Sequence, residues 1–149
     1  MKDIYNYQFL TENLSSSGMP TSAQLKEIAD EGIQVVINLA LKTSQGALVN
    51  EDALVKSLGM EYIHIPVEWH EPTKQNLEDF FNAMDLHKNE KVHVHCQANY
   101  RASAFIMLYR VLHLAWKKED AIPIMEKMWN PEDFPVWQKF IDDRLADHS

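Results

Sequence analysis

The chain has 149 residues, 46% of them hydrophobic and 24% charged, an ordinary globular composition with enough length for a sizeable core. A net charge of −8 at pH 7, with no Lys/Arg cluster, argues against a nucleic-acid backbone as partner. No stretch approaches the ~20 apolar residues that cross a bilayer, Met1–Asn6 lacks the apolar run of a signal peptide, and a lone cysteine excludes an internal disulfide framework. A single domain over residues 1–149 and a cytoplasmic location, with no membrane partner, are the simplest expectations.

Tyr5–Phe9 and Leu14–Ser17 read as short edge strands. Ser17-Gly-Met-Pro-Thr-Ser22 is a turn feeding a helix, with Thr21 or Ser22 as N-cap and a stop at Gly32. The apolar, β-branched run Gln34–Leu39 is too short for a helix and reads as a buried strand. A loop over 40–49 precedes a short helix from Glu51 to Leu58, closed by Gly59. Glu61–Pro66 is a strand ending at a proline that cannot continue a ladder. Thr73 caps a helix to about Leu86, burying Leu77, Phe80, Phe81 and Met84. Val92 and Val94 alternate with His93 and His95 as a two-faced strand. Helical spacing follows, with Ala102, Phe105, Ile106 and Tyr109 on one face. Helical stretches over about 118–128 and 133–146 close the chain, and Trp116, Trp129, Phe134 and Trp137 there read as packing aromatics. Alternating strands and helices imply an α/β fold, a mostly parallel central sheet flanked by helices. Ligands in such sheets bind beyond the carboxyl ends of the strands, which gathers the loops after Leu39, Pro66 and His95 at one rim.

The loop from Cys96 to Arg101 carries the chemistry. A strand that feeds a helix through a short loop aims backbone N–H groups and the helix dipole at one spot, and such a spot binds an anion. Cys96 at its rim gains thiolate character from that field and from the nearby guanidinium. Arg101 can grip two oxygens of the anion with its planar fork. None of the glycines (18, 32, 46, 59) falls in the loop, so Asn99 is expected to supply the left-handed backbone conformation that such cradles use. His95 orients the loop and tunes Cys96. The bland alternative makes Cys96 a small buried hydrophobe and Arg101 a surface charge. His64, His93 and His95 lack metal-ligand spacing and read as hydrogen-bonded core residues, so neither a metal nor a cofactor is expected.

His95-Cys96, the short loop and Arg101 resemble the signature of cysteine-dependent phosphatases, in particular the compact dual-specificity-like ones. The order of elements is similar over nearly the whole chain, from Ser17-Gly-Met-Pro20 through Val36-Ile-Asn-Leu39 and His64-Ile-Pro-Val67 to the loop. Two departures stand out. Four residues (Gln97, Ala98, Asn99, Tyr100) separate Cys from Arg where the signature has five, and Ala102 replaces the usual hydroxyl residue, with Ser103 one place later. A four-residue gap also occurs in rhodanese-like sulfurtransferases and in a bacterial phosphatase-like family related to the dual-specificity enzymes.

The resemblance implies a dual-specificity-phosphatase-like fold and hydrolysis of a phosphomonoester through a Cys96 phosphoenzyme. Arg101 and the amides of 97–101 would hold phosphate, and the substrate would be a phosphorylated small molecule or a phosphoprotein. It also implies a general acid after His64–Val67, where the family has an aspartate. Here the segment is Glu68-Trp69-His70-Glu71-Pro72, with Trp69 in the aspartate's place. Glu71, His70 and Glu68 are the substitutes in that order, and Trp69 is expected to line the pocket or cover it. Two other functions remain open: sulfur transfer through a Cys96 persulfide, and a phosphatase-like module that binds an anion with little or no turnover.

Overall fold

The computed structural model describes residues 3–147. Five four-residue strands form one sheet: β1 (Gln8–Thr11), β2 (Leu14–Ser17), β3 (Val35–Asn38), β4 (Glu61–His64) and β5 (Val92–His95), in the order β1-β2-β5-β3-β4. β1 is antiparallel to β2, whereas the β2–β5, β5–β3 and β3–β4 pairings are parallel, as the alternation of elements requires. Register places Ser17 and Asn38 on either side of His95, with His64 beside Asn38. The carboxyl ends of the four parallel strands therefore finish in one row.

The helices are α1 (Ser22–Asp30), α2 (Glu51–Ser57), α3 (Lys74–Leu86), α4 (Tyr100–Leu112), α5 (Lys118–Glu126) and α6 (Pro135–Ala146), with a 3₁₀ turn at Pro131–Asp133 before the last. Thr21 and Thr73 cap α1 and α3, each in a reciprocal capping box. Val36 faces α1 and α2, where Leu25, Ile28, Val55 and Met60 make the smaller core. Val35, Ile37, Val92 and Val94 face the larger core, which holds Phe80, Phe105, Leu108 and Trp137. α4 differs from expectation, because its apolar side is not a single stripe. Every residue from Arg101 to Val111 is buried, since α3, α5 and α6 surround the helix on the sheet.

The N-terminal strands also depart from the sequence reading. β1 starts at Gln8 rather than Tyr5, because Asn6 adopts a positive φ of 51° and Tyr7 N donates back to Ile4 O. β2 is not an edge strand; it lies between β1 and β5, and Ser15, Ser16 and Ser17 are buried. Their hydroxyls are taken up inside the fold, as buried polar groups must be. Ser15 Oγ lies 2.7 Å from His93 Nδ1, and Ser17 Oγ lies 2.8 Å from His93 Nε2. Because Ser17 Oγ donates its own proton to Gly18 O (2.7 Å), the imidazole must donate from Nε2 and accept from Ser15 at Nδ1.

Burial, and secondarily the charge of His95, lowers the His93 pKa from 6.5 to about 3, so the ring is neutral. In the unfolded chain the same ring takes up a proton near 6.5. The stability it contributes is therefore complete above that pH and lost as pH falls from 6.5 toward about 3, at up to ~1.4 kcal/mol per pH unit. Urea midpoints measured between about pH 7 and pH 4 are expected to fall steeply in the wild type and less steeply in His93→Gln.

Candidate active site

β5 ends at His95 and α4 begins at Tyr100, so Cys96–Asn99 must reverse the chain within four residues. Asn99 makes this possible as the N-cap of α4, with φ 66° and ψ 13° in the left-handed region. Its Nδ2 donates to Asn6 O (2.9 Å) and Ser16 Oγ (3.0 Å), holding that conformation from beneath. The loop carbonyls turn outward. Gln97 O accepts from Met19 N at 3.0 Å, and Ala98 O accepts from Asn6 Nδ2 at 2.9 Å. The amides turn the other way. Among the described residues, the N–H groups of Gln97, Tyr100, Arg101 and Ala102 have no hydrogen-bond acceptor, while an isolated antiparallel bridge between Gly18 and Ala98 ties the middle of the loop to the end of β2. Successive unpaired amides at a helix N-terminus form a concavity suited to an anion.

Cys96 is almost wholly buried, its N–H bonded to Ser17 O, and it lines an open cleft of about 390 Å³ with Gln97, Ala98, Tyr100, Arg101, Trp69 and Phe134. Arg101, also buried, donates from Nη1 to Val67 O at 2.8 Å and has no carboxylate partner among the described residues. That bond ties the α4 N-terminus to the loop leaving β4. Trp69 is fixed by rings on several sides, with centroids at 5.2 Å for Phe134, 5.4 Å for Trp137, 5.7 Å for Trp129 and 6.2 Å for Tyr100. Its carbonyl accepts from Trp137 Nε1 at 2.8 Å. Tyr100 stacks on Trp129 at 4.9 Å with nearly parallel planes. Two larger clefts, of about 470 Å³ beside α2 and about 720 Å³ at the other end of the sheet, have no cysteine in their walls.

The structure thus brings Cys96, Gln97, Ala98, Tyr100, Arg101 and Trp69 together and sets Asn99 beneath them. Glu68, His70 and Glu71 are exposed on the turn after Val67, and none lines the cleft. Ser103 faces away: its hydroxyl donates to Tyr100 O at 3.1 Å and accepts from Trp129 Nε1 at 3.0 Å, bracing the aromatic wall rather than Cys96. His95 is buried, with Nε2 2.6 Å from Glu51 Oε2 and Nδ1 3.3 Å from Cys96 O. His93 and His95 are each occupied by hydrogen bonds within the fold. Phe134, read from sequence as packing, stands in the cleft wall. Asn6, Gly18 and Glu51 were not visible as site residues, since each acts on the loop from a distant part of the chain. The one local signal was the run of serines opposite two histidines.

A family model described as "DSP-PTPase phosphatase fused to NAD+ Kinase" matches residues 8–134. A DUF442 phosphatase structure from Shewanella putrefaciens CN-32 is 38% identical, with a TM-score of 0.90 over 99% of this chain and 94% of that one. PTPMT1 in complex with PI(5)P is 20% identical, with a TM-score of 0.73 over 96% of this chain and 99% of that one. P. aeruginosa TpbA, in a Cys-to-Ser form with pTyr, is 14% identical, with a TM-score of 0.70 over 98% of each chain. The last two share the fold. No curated protein matches the chain.

Gly18 shows how closely the loop is held. A Cβ there would lie 2.6 Å from Gln97 O and 2.7 Å from Tyr5 Cδ2, well inside contact distance. Gly18→Ala is expected to push β2 and the loop apart and to cost about 1–3 kcal/mol, read from the urea midpoint.

Proposed function

The chain belongs to the DSP-PTPase phosphatase family, and from that premise we propose that it hydrolyses phosphomonoesters through a phosphoenzyme on Cys96. The observation that carries this reading is the set of unpaired amides at Gln97 and over residues 100–102, in a loop bounded by Cys96 and the Arg101 guanidinium. The thiolate attacks phosphorus; the S–P bond forms as the ester P–O bond breaks, and the leaving oxygen departs with the bonding pair. Negative charge on the equatorial oxygens is met by the loop amides and Arg101, which need no rearrangement to receive it. Water then attacks phosphorus, the S–P bond breaks, phosphate leaves and the thiolate returns, with the water's proton lost to solvent.

The walls of the cleft say more about the substrate. Trp69, Tyr100 and Phe134 present aromatic surface next to the cradle, which suits a flat or apolar group on the phosphate. Binding of PI(5)P by PTPMT1 and of pTyr by TpbA supports phosphorylated substrates as the class. No carboxylate lines the cleft among the described residues, so proton delivery to the leaving oxygen is its weakest provision. In this reading nothing fully replaces the aspartate whose place Trp69 takes.

Cys96→Ser is expected to abolish turnover of an aryl phosphate while leaving oxyanion binding largely intact. Arg101→Lys is expected to weaken both, since it keeps the charge and loses the fork. Equal rates in wild type and Cys96→Ser would rule out the covalent route. Cyanide-dependent thiocyanate formation from thiosulfate, lost in Cys96→Ser, would make the protein a sulfurtransferase instead.

Activated aryl phosphates, whose leaving groups need no proton, are expected to react far faster than alkyl phosphates. The gap should approach the roughly 10²–10⁴ that general acid help supplies. If Glu71→Gln slows only the alkyl substrates, Glu71 is the acid and the deficiency is disproved. His70→Asn and Glu68→Gln test the other two candidates in the same way.

A further inference from the structure

We propose that Glu51 is a positioning residue of the Cys96 site, whose buried carboxylate holds the His95 ring with a proton on each nitrogen and so keeps a cation against the backbone carbonyl of the nucleophile. The inference rests on the reading of Cys96 as nucleophile and extends it to a residue on a different element, the first residue of α2.

The geometry is direct. Glu51 Oε2 lies 2.6 Å from His95 Nε2, the imidazole is wholly buried, and the carboxylate side chain is 4% exposed. The other ring nitrogen, Nδ1, lies 3.3 Å from Cys96 O. A carboxylate and a backbone carbonyl can only accept, so each of these bonds draws its proton from the ring. With an acceptor facing each nitrogen, the ring in this proposal is the imidazolium and the short Glu51 bond the charge-assisted one. Burying either charge alone would be strongly unfavourable, and each is compensated by the other. The imidazolium belongs to the residue preceding Cys96, and a cation so placed favours the thiolate.

Arg101 is the other cation of the Cys96 cleft, and among the described residues no second ion pair takes the place of Glu51 and His95. Asp52 and Lys56 of α2 pair with each other at 3.0 Å. On β4, the Tyr62 hydroxyl accepts from Asn38 and its pKa is pushed up to about 12, chiefly by burial, while His64 Nε2 is held by Ala40 O at 2.7 Å. On β5, His93 is bound between Ser15 and Ser17 and is neutral. Lys42, from the loop after β3, lines the same cleft beside α2 as Glu51. The cleft that Cys96 lines does not include Glu51.

Cys96 is the sole cysteine, so alkylation by iodoacetamide reports on it alone. Glu51→Gln keeps the size and an acceptor oxygen but removes the charge. Alkylation in this variant is expected to be about tenfold slower near pH 6 and unchanged near pH 10, where any thiol is ionised. A loss of structure would instead expose the buried thiol and speed alkylation near pH 10, and it is read independently by circular dichroism. Superimposable wild-type and Glu51→Gln profiles, with a wild type already reactive near pH 6, would overturn the role of Glu51 and leave the nucleophile standing. A wild type that becomes reactive only where ordinary thiols do would overturn the nucleophile reading itself. Should Glu51→Gln fail to fold, long-range ¹H–¹⁵N NMR of the wild-type His95 ring at neutral pH decides the matter. Two protonated ring nitrogens are expected, and one bare nitrogen overturns the proposal.

Discussion

The site depends on which way the peptide groups of one short loop face. Gln97 O and Ala98 O are drawn outward by Met19 N and Asn6 Nδ2, and the amides of the loop are left to face inward. Buried backbone groups are almost always paired, so the unpaired amides of Gln97 and of residues 100–102 are stable only if they keep access to solvent or to an anion. The N-terminal segment provides the outward pull and Asn99 the turn. Gly18 allows the two to meet, since no side chain fits between β2 and the loop. A loop without glycine thus acquires the shape a glycine would give it, because Asn99 tolerates φ > 0 and is held there by two hydrogen bonds.

Polar burial in the central strand divides into two networks with different tasks. His93 is neutral and bridges the serines of β2, which locks β2 to β5 next to the loop. His95 pairs with a carboxylate brought by α2 and touches Cys96 O. Both rings lie on the face opposite the larger core, where the sheet carries Val36 and packs on α1 and α2. The other face is apolar, and α4 is enclosed there along nearly its full length. The helix that presents Arg101 to the cleft is consequently among the most constrained parts of the fold. A guanidinium fixed at both its backbone and its Nη1 can receive charge with little reorganisation.

The cleft is chemically lopsided. Its floor offers a cysteine, an arginine and amides, and its wall offers three rings from three regions of the chain, Trp69, Tyr100 and Phe134, with Trp129 stacked behind Tyr100. Such a wall turns apolar surface to one side of the cleft, and among the described residues no carboxylate lines it.

Much of the fold was legible in the chain because it rests on local physics. Alternating strand and helix, the capping threonines, the glycine stops and the Cys–Arg loop between β5 and α4 all follow from residue order, as did the conformation of Asn99. The misses share one cause. A buried polar strand such as Leu14–Ser17 looks like an edge when its partners cannot be seen, and Asn6, Gly18 and Glu51 reach the loop from 93, 79 and 44 residues away from Asn99, Gln97 and His95 respectively. Periodicity and spacing record what neighbours in sequence can do together. By itself the sequence determined the order of elements and the cysteine–loop–arginine unit. Only tertiary packing decided the direction of the loop carbonyls, the partner of His95, and the removal of Glu68, His70 and Glu71 from the cleft, because those depend on contacts made only once the sheet has brought distant segments side by side.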